Sequence, residues 1–255
     1  IDPKIGTVVI DLVSFQPNFI FICVPTPMNN DFSQDLKILN DVLKKISSYE
    51  LSCPLILKST VLPEHLIEIE KSFPNIIFNP EFLREKHAEE DFIKSDMIIF
   101  GGNNDYSRKV SDFFKKYTLC ECEDHTFTDL ISASLIKYSI NSFLATKVIF
   151  FNELYRVFEL SGTTKSWSSF IKIINEDSRI GSSHMDVPGH DGRFGFGGAC
   201  FPKDSNALVT YAKSKGIDMH LLNTAININN IIRAQYNAPT TREKEQNIDF
   251  KIKKS

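Results

Sequence analysis

The chain has 255 residues, 42% of them hydrophobic and 24% charged, enough apolar material for one large core or two smaller ones. With 29 Lys plus Arg against 32 Asp plus Glu, the formal net charge is −3, which excludes the basic excess that nonspecific nucleic-acid binding draws on. No apolar run approaches the roughly 20 residues of a membrane-spanning helix, so no membrane partner is expected. Ile1-Asp2-Pro3-Lys4 does not read as a signal peptide. The five cysteines, Cys23, Cys53, Cys120, Cys122 and Cys200, are odd in number and irregularly spaced, which is no disulfide framework. Cys120-x-Cys122 lacks a second ligand pair, so no metal site is expected. A reducing cytoplasm fits this cysteine usage.

In chain order, the first third alternates apolar runs with polar segments. Phe19-Ile20-Phe21-Ile22-Cys23-Val24 stops at Pro25, Leu55-Ile56-Leu57 stops at Lys58-Ser59-Thr60, and Ile76-Ile77-Phe78 stops at Asn79-Pro80. Met97-Ile98-Ile99-Phe100 stops at Gly101-Gly102. Short apolar runs closed by turn residues read as buried parallel strands. Between the first two, residues 35–48 carry Leu36, Leu39, Val42, Leu43 and Ile46 at helical spacing. Strand and helix in alternation predict an α/β domain around a parallel sheet.

The pattern changes near Asp124. Residues 127–160 contain neither Pro nor Gly and predict one long helix stopped by Ser161-Gly162. Further helices are predicted over 167–174, 203–215 and 219–236, with a glycine-rich irregular stretch over 181–198. The segment after Asn237 is polar, rich in lysine and expected to be loose. The 21 phenylalanines are most simply core packing. The domain reading is therefore 1–123 as a dinucleotide-binding, Rossmann-like domain, 124–236 as an all-helical central domain, and 237–255 as a polar tail.

A dinucleotide-binding α/β domain normally opens with a strand, Gly-x-Gly-x-x-Gly and a helix, followed by a strand that ends in an acid. The sequence has no such glycine loop and opens where the second strand would end, so the first βα unit is expected to be missing. Asp2 is then either the acid for the adenosine ribose or a plain surface residue at a frayed terminus.

The sharpest chemical signal is Gly195-Phe196-Gly197-Gly198-Ala199-Cys200-Phe201-Pro202-Lys203-Asp204. Glycines allow close backbone approach to a ligand, and Pro202 and Asp204 suit the first turn of a helix. Cys200 is thus placed just before a helix N-terminus with Lys203 nearby, two features that favour a thiolate nucleophile. Lys137 and Asn141 lie one helical turn apart and point the same way. They are either paired donors for an oxyanion or part of a solvated helix face. Glu81 and Glu85, after a strand end, are candidates for a base and a cofactor contact, or plain helix-start acids. Thr26 and Thr60 also follow strand ends, and Ser59 and Thr60 equally suit helix caps.

Taken together these segments resemble the UDP-glucose 6-dehydrogenase family. The matching pieces are Cys23-Val24-Pro25-Thr26-Pro27, Lys58-Ser59-Thr60-Val61, Asn79-Pro80-Glu81-Phe82-Leu83-Arg84-Glu85, Lys137-Tyr138-Ser139-Ile140-Asn141, Asp177-Ser178-Arg179-Ile180-Gly181 and the Cys200 segment. They stand in the family's order across residues 2–236. The resemblance implies a four-electron oxidation of UDP-glucose to UDP-glucuronate that reduces two NAD. Cys200 would attack the aldehyde to give a thiohemiacetal, and hydride loss would give a thioester that water hydrolyses. Lys137 and Asn141 would stabilise the oxyanions, and Thr60, Glu81 and Asp204 would position water and move protons. Asp2, Val24, Pro25, Thr26, Ser59, Thr60 and Glu85 would contact the cofactor. Phe82, Leu83 and Arg84 would line the substrate, with Phe194, Gly195, Phe196 and Gly197 from the loop over 191–197. Arg179 would come from the neighbouring subunit of a homodimer built on the long helix.

Two departures from the family pattern are the absent glycine loop and the absence of a third, nucleotide-gripping α/β domain after Tyr236. They leave two alternatives beside the dehydrogenase for UDP-glucose. One is a non-catalytic fragment or pseudoenzyme that dimerises and binds a sugar nucleotide. The other is a dehydrogenase for GDP-mannose or a UDP-N-acetyl amino sugar.

Overall fold

The computed structural model describes residues 1–250, Glu85 without its side chain. Two compact units divide the chain, one of Ile1–Thr26 and Gln34–Lys137, the other of Pro27–Ser33 and the chain from Tyr138 onward.

The first unit opens with a 3-10 turn, Pro3–Ile5, and α1 (Asp11–Phe15). Strands β1 (Ile20–Ile22), β2 (Leu55–Leu57), β3 (Ile76–Phe78), β4 (Ile99–Gly102) and β5 (Thr126–Thr128) then alternate with α2 (Lys37–Ser48), α3 (Pro63–Ser72), α4 (Ala88–Ile93) and α5 (Asn104–Tyr117). The sheet order is β1-β2-β3-β4-β5. Strands β1 and β2 pair in parallel with Ile20 opposite Leu55, and β2 and β3 in parallel with Leu55 opposite Ile76.

The sheet is parallel except at one place: the reading of Met97-Ile98-Ile99-Phe100 as a further parallel strand is corrected at β4. It runs antiparallel to β3, with Phe78 opposite Gly101, and β5 follows β4 in parallel. An antiparallel neighbour starts from the end of the sheet at which the previous strand finished, so the connection need not recross the sheet. Accordingly α4 has only six residues, about 9 Å of helix, too little to cover a full crossover. Gly101 and Gly102 also belong to β4 instead of ending it. A Cβ on Gly101 would lie 2.5 Å from the Ala133 Cβ, so glycine is what lets the following helix pack on the strand.

Both faces of the sheet are covered, as a parallel core requires. Leu55, Leu57, Ile76, Phe78 and Ile99 point to one side, against Leu39, Leu43 and Ile46 of α2 and Leu66 and Ile69 of α3. Ile56, Ile77 and Phe100 point to the other, against Val110 and Phe114 of α5.

The long helix α6 spans Leu130–Leu160. It starts three residues later than the sequence suggests because residues 126–128 are spent on β5. Asp129 then accepts the Ser132 amide at 2.8 Å, as a helix-capping carboxylate does. Ala133 and Leu130 close the core of the first unit.

In the second unit α6 continues, followed by α7 (Trp167–Ile174), α8 (Phe201–Ser214), α9 (His220–Arg233) and α10 (Thr241–Glu245). Its core gathers Phe151, Ile171, Met185 and Val187 with Tyr155, Trp167 and Phe194. The expectation of a loose tail is corrected over residues 237–250; its remainder, 251–255, lies outside the described residues. Thr240 and Glu243 close α10 in a capping box. Beyond it, Ile248 and Phe250 are buried against Met28 and Phe32. The polar composition of this segment hid two apolar anchors and a buried carboxylate.

Candidate active site

In the first unit the site residues stand where parallel strands end. Ser59 follows β2 and its Oγ donates to the Val24 carbonyl beyond β1 at 2.6 Å. Thr26, 4% exposed, donates its hydroxyl to the Thr60 carbonyl at 2.9 Å. The two strand-end loops are thus tied crosswise, and the crevice outside such carboxyl ends is where open α/β sheets hold ligands. The alternative that Ser59 and Thr60 cap a helix is overturned: α3 begins at Pro63 behind Leu62, which offers no side-chain cap.

One strand further on, Glu81 turns its carboxylate back onto the Leu83 amide at 2.7 Å. Lys137, 3% exposed, donates its ammonium to the Glu81 carbonyl and stands 3.7 Å from the Glu81 carboxylate. The same ammonium lies 5.2 Å from the centre of the Phe82 ring, a cation–π contact. Lys58 donates to the Asn79 side-chain oxygen at 2.9 Å, and Asn79 donates to the Ile99 carbonyl at 2.7 Å. Burial pulls the Lys58 ammonium down to about 8, a fall that Glu81 opposes and Lys137 adds to. Arg84 grips Asp91 through two nitrogens, at 2.6 and 3.0 Å. Those bonds hold the Asp91 carboxyl at about 2.

In the second unit Cys200 is the N-cap residue of α8 and is exposed. Pro202 and Asp204 occupy the first turn of that helix. Asp204 is fully buried and receives two donors, Asn141 Nδ2 at 2.6 Å and Lys203 Nζ at 2.5 Å. The ammonium of Lys203 is therefore spent on Asp204. Of the two thiolate-favouring features read from the sequence, the helix start remains, while the charge of the cation is compensated. Asn141 is 6% exposed and Lys137 3%. The solvated-face alternative for this pair is thus overturned: both are buried, one helical turn apart on α6.

The segment leading into Cys200 is held amide by amide. The Phe194 amide donates to the Tyr236 hydroxyl at 2.8 Å and the Gly195 amide to Asn152 Oδ1 at 2.9 Å. The Phe196 amide donates to Asn229 Oδ1 at 2.7 Å, and Asn229 returns a bond to the Phe196 carbonyl at 2.9 Å. The Gly198 amide donates to Glu243 Oε1 at 3.2 Å. Gly195 has φ +74, and a Cβ there would lie 2.5 Å from Asn229 Oδ1, so only glycine fits.

Asp2 caps the opening 3-10 turn by accepting the Lys4 amide at 2.9 Å. Arg179 is exposed and paired with Asp177 at 2.6 Å. The side chain of Glu85 lies outside the described ones; its backbone begins the 3-10 turn Glu85–His87. Sequence reasoning passed over Asn152, Asn229, Arg233, Tyr236 and Glu243. A usable signal existed for two of them, since Asn152 and Asn229 interrupt otherwise apolar helix faces.

Among known proteins, two domain models of one family match the chain. The NAD binding domain of the UDP-glucose/GDP-mannose dehydrogenase family matches residues 11–118, and its central domain matches residues 131–231. A UDP-glucose 6-dehydrogenase from Rickettsia felis is 37% identical over 218 residues, covering 82% of this chain and 47% of that protein. A second, from Bacillus subtilis, is 33% identical over 228 residues, covering 84% and 49%. The chain thus spans about half the length of these relatives. A UDP-glucose dehydrogenase structure from Pyrobaculum islandicum superposes with a TM-score of 0.69 at 27% identity, covering 87% of this chain and 52% of that one.

Proposed function

The chain belongs to the UDP-glucose/GDP-mannose dehydrogenase family, and from that premise we propose that its protein oxidises UDP-glucose to UDP-glucuronate with NAD. The observation that carries the reading is the buried Asn141–Asp204–Lys203 cluster beneath the start of α8, with Cys200 exposed at its N-cap. A helix N-terminus favours a thiolate, and a thiolate is the nucleophile that can hold an aldehyde covalently between two oxidations.

The residues at the ends of β1 and β2 suit the reactive end of a dinucleotide. Val24, Pro25, Thr26, Ser59 and Thr60 stand there on loops braced by two hydrogen bonds. Two NAD, bound in turn, would each accept one hydride. Asp2 keeps its second carboxylate oxygen for the adenosine ribose, and Glu85 joins the cofactor contacts. The residues assigned to the sugar are Phe82, Leu83 and Arg84 in the first unit and Phe194, Gly195, Phe196 and Gly197 in the second.

The chain's own residues then divide the chemistry. The C6 alcohol first gives up a hydride and its hydroxyl proton to become the aldehyde; Cys200 sulfur then adds to that carbon, giving a thiohemiacetal, and loss of hydride and the hydroxyl proton from it gives a thioester. Lys137 and Asn141 donate to the oxygen that becomes negative. Glu81, Thr60 and Asp204 are the groups assigned to the hydrolysis: water splits the thioester, its proton passes to a carboxylate, and the departing sulfur is reprotonated to the thiol. Released product carries a carboxylate, so two hydrides leave per sugar.

The reading includes a cytoplasmic homodimer joined along α6. Phe143, Phe150 and Val157 are 67%, 59% and 64% exposed at seven-residue spacing on that helix, the repeat of a helix-packing seam. Arg179, exposed on its loop, serves the partner's substrate. Supplied with UDP-glucose and NAD, the full-length protein is expected to yield two NADH per uronate. The Cys200→Ser variant is expected to form no uronate. A serine variant that turned over at the normal rate would rule the thioester route out.

A further inference from the structure

We propose that residues 237–250 form a clasp that fixes the glycine-rich segment leading into Cys200, with Glu243 as its positioning residue. These residues lie past the last position matched by the family's central-domain model, residue 231.

The clasp grips that segment at several points. Arg193 donates to the Ala238 carbonyl at 3.0 Å. Glu243, with no exposed surface, accepts the Gly198 amide at 3.2 Å, the Thr240 amide at 2.6 Å and Arg233 Nη2 at 2.6 Å. Arg233 reaches Asp191 with its other terminal nitrogen at 2.8 Å. One guanidinium therefore links the tail's carboxylate to the start of the loop, while the carboxylate itself holds the loop's end. Gly197 lies so close that a Cβ there would come within 2.6 Å of both Arg233 and Glu243. The loop backbone thus rests directly on the ion pair. The tail is fastened at its far end too. The Met28 amide donates to the Gln246 carbonyl at 3.2 Å, and Phe250 packs on Met28 and under the Arg233 guanidinium.

Charged hydrogen bonds that are buried on both sides are strong, and costly when one partner is removed. Glu243 supplies the acceptor for the Gly198 amide, two residues before Cys200. Opening the tail therefore releases the backbone that sets the sulfur's place. The geometry stands on its own; its effect on turnover rests on the role proposed above for Cys200 and the loop.

The test uses two variants of the full chain. Glu243→Gln removes the charge from the ion pair. Thr240→Ala removes only the hydroxyl that accepts the Glu243 amide, leaves the ion pair intact, and decides the matter if the first variant does not fold. Hydrogen exchange is read on peptides covering 194–199, 240–246 and β2, together with the rate of Cys200 alkylation by iodoacetamide. In Glu243→Gln, exchange over 194–199 should quicken at least about tenfold, the loss of one charged hydrogen bond, and Cys200 alkylation should change with it. The β2 peptide should stay within about twofold of wild type. Thr240→Ala should shift the same segments by a smaller factor. In turnover, Glu243→Gln should lower kcat for uronate formation, the steps that need the sulfur in place, while the KM for NAD stays near wild type. Loosening of 240–246 with 194–199 and Cys200 unchanged would overturn the clasp. A wild-type protein that made no NADH would refute the proposed activity, and the exchange measurement would still decide the clasp.

Discussion

Replacing Asp204 with alanine should destabilise the helical unit sharply. The carboxylate is 1% exposed and its partner Lys203 8% exposed, 2.5 Å apart. Without the acid the ammonium is left buried and unpaired, which costs about 3–5 kcal/mol. The Asn141 amide loses its 2.6 Å acceptor as well, worth about 1 kcal/mol. With a urea m-value of about 2 kcal/mol/M, the midpoint should fall by roughly 2–3 M. The chain's one tryptophan, Trp167, belongs to this unit, so its fluorescence reports the transition that matters. The double variant Lys203→Met with Asp204→Leu replaces the ion pair by apolar volume and should recover most of the lost stability, yet remain inactive. A midpoint drop below about 0.5 M in Asp204→Ala would mean that the cluster is wet and does not underpin α8.

Asn229→Ala leaves the Phe196 amide and carbonyl without their partners. At about 1–3 kcal/mol for each unsatisfied buried group, the same Trp167 midpoint should fall by about 1–3 M. Lys58 gives a pH signature. Its ammonium sits at about 8 in the folded state against an ordinary 10.5, so between those values the unfolded chain binds more protons. Stability from Lys58 therefore rises as pH climbs from about 8 to 10.5, by on the order of 3 kcal/mol. A Lys58→Met variant should lack that rise, and parallel urea-denaturation series for the two proteins check it. Phe150→Glu places a charge in the apolar stripe of α6; light scattering should give twice the chain mass for the wild type and the single-chain mass for the variant.

Much of the architecture was legible because it is local. Strands β2 and β3 and helix α7 have the bounds that their apolar patterns give, and α2 buries Leu39, Leu43 and Ile46 as their spacing requires. What escaped depends on contacts between distant segments. The glycines of β4 read as turn residues until Ala133 is seen against Gly101. Strand β5 is Thr-Phe-Thr, with no apolar run to announce it. The reversal at β4 leaves no mark in composition, since an antiparallel strand buried on both faces reads like a parallel one. At the site, the glycine segment and helix start around Cys200 were legible from neighbouring residues. The pairing of Lys203 with Asp204 and the anchoring of the loop by Asn152, Asn229, Tyr236 and Glu243 were not. The loop's anchors stand 33 to 45 residues from the amides they hold.

The most direct measurement is a mass-spectrometric map of the protein quenched with acid during turnover on UDP-glucose and NAD. Trypsin cuts after Arg193 and Lys203, releasing residues 194–203 with Cys200 as the sole cysteine. The account predicts an acyl adduct of the oxidised sugar nucleotide on that peptide, absent when NAD is omitted. Uronate formed with this peptide never modified, or an adduct found on another cysteine instead, would contradict it.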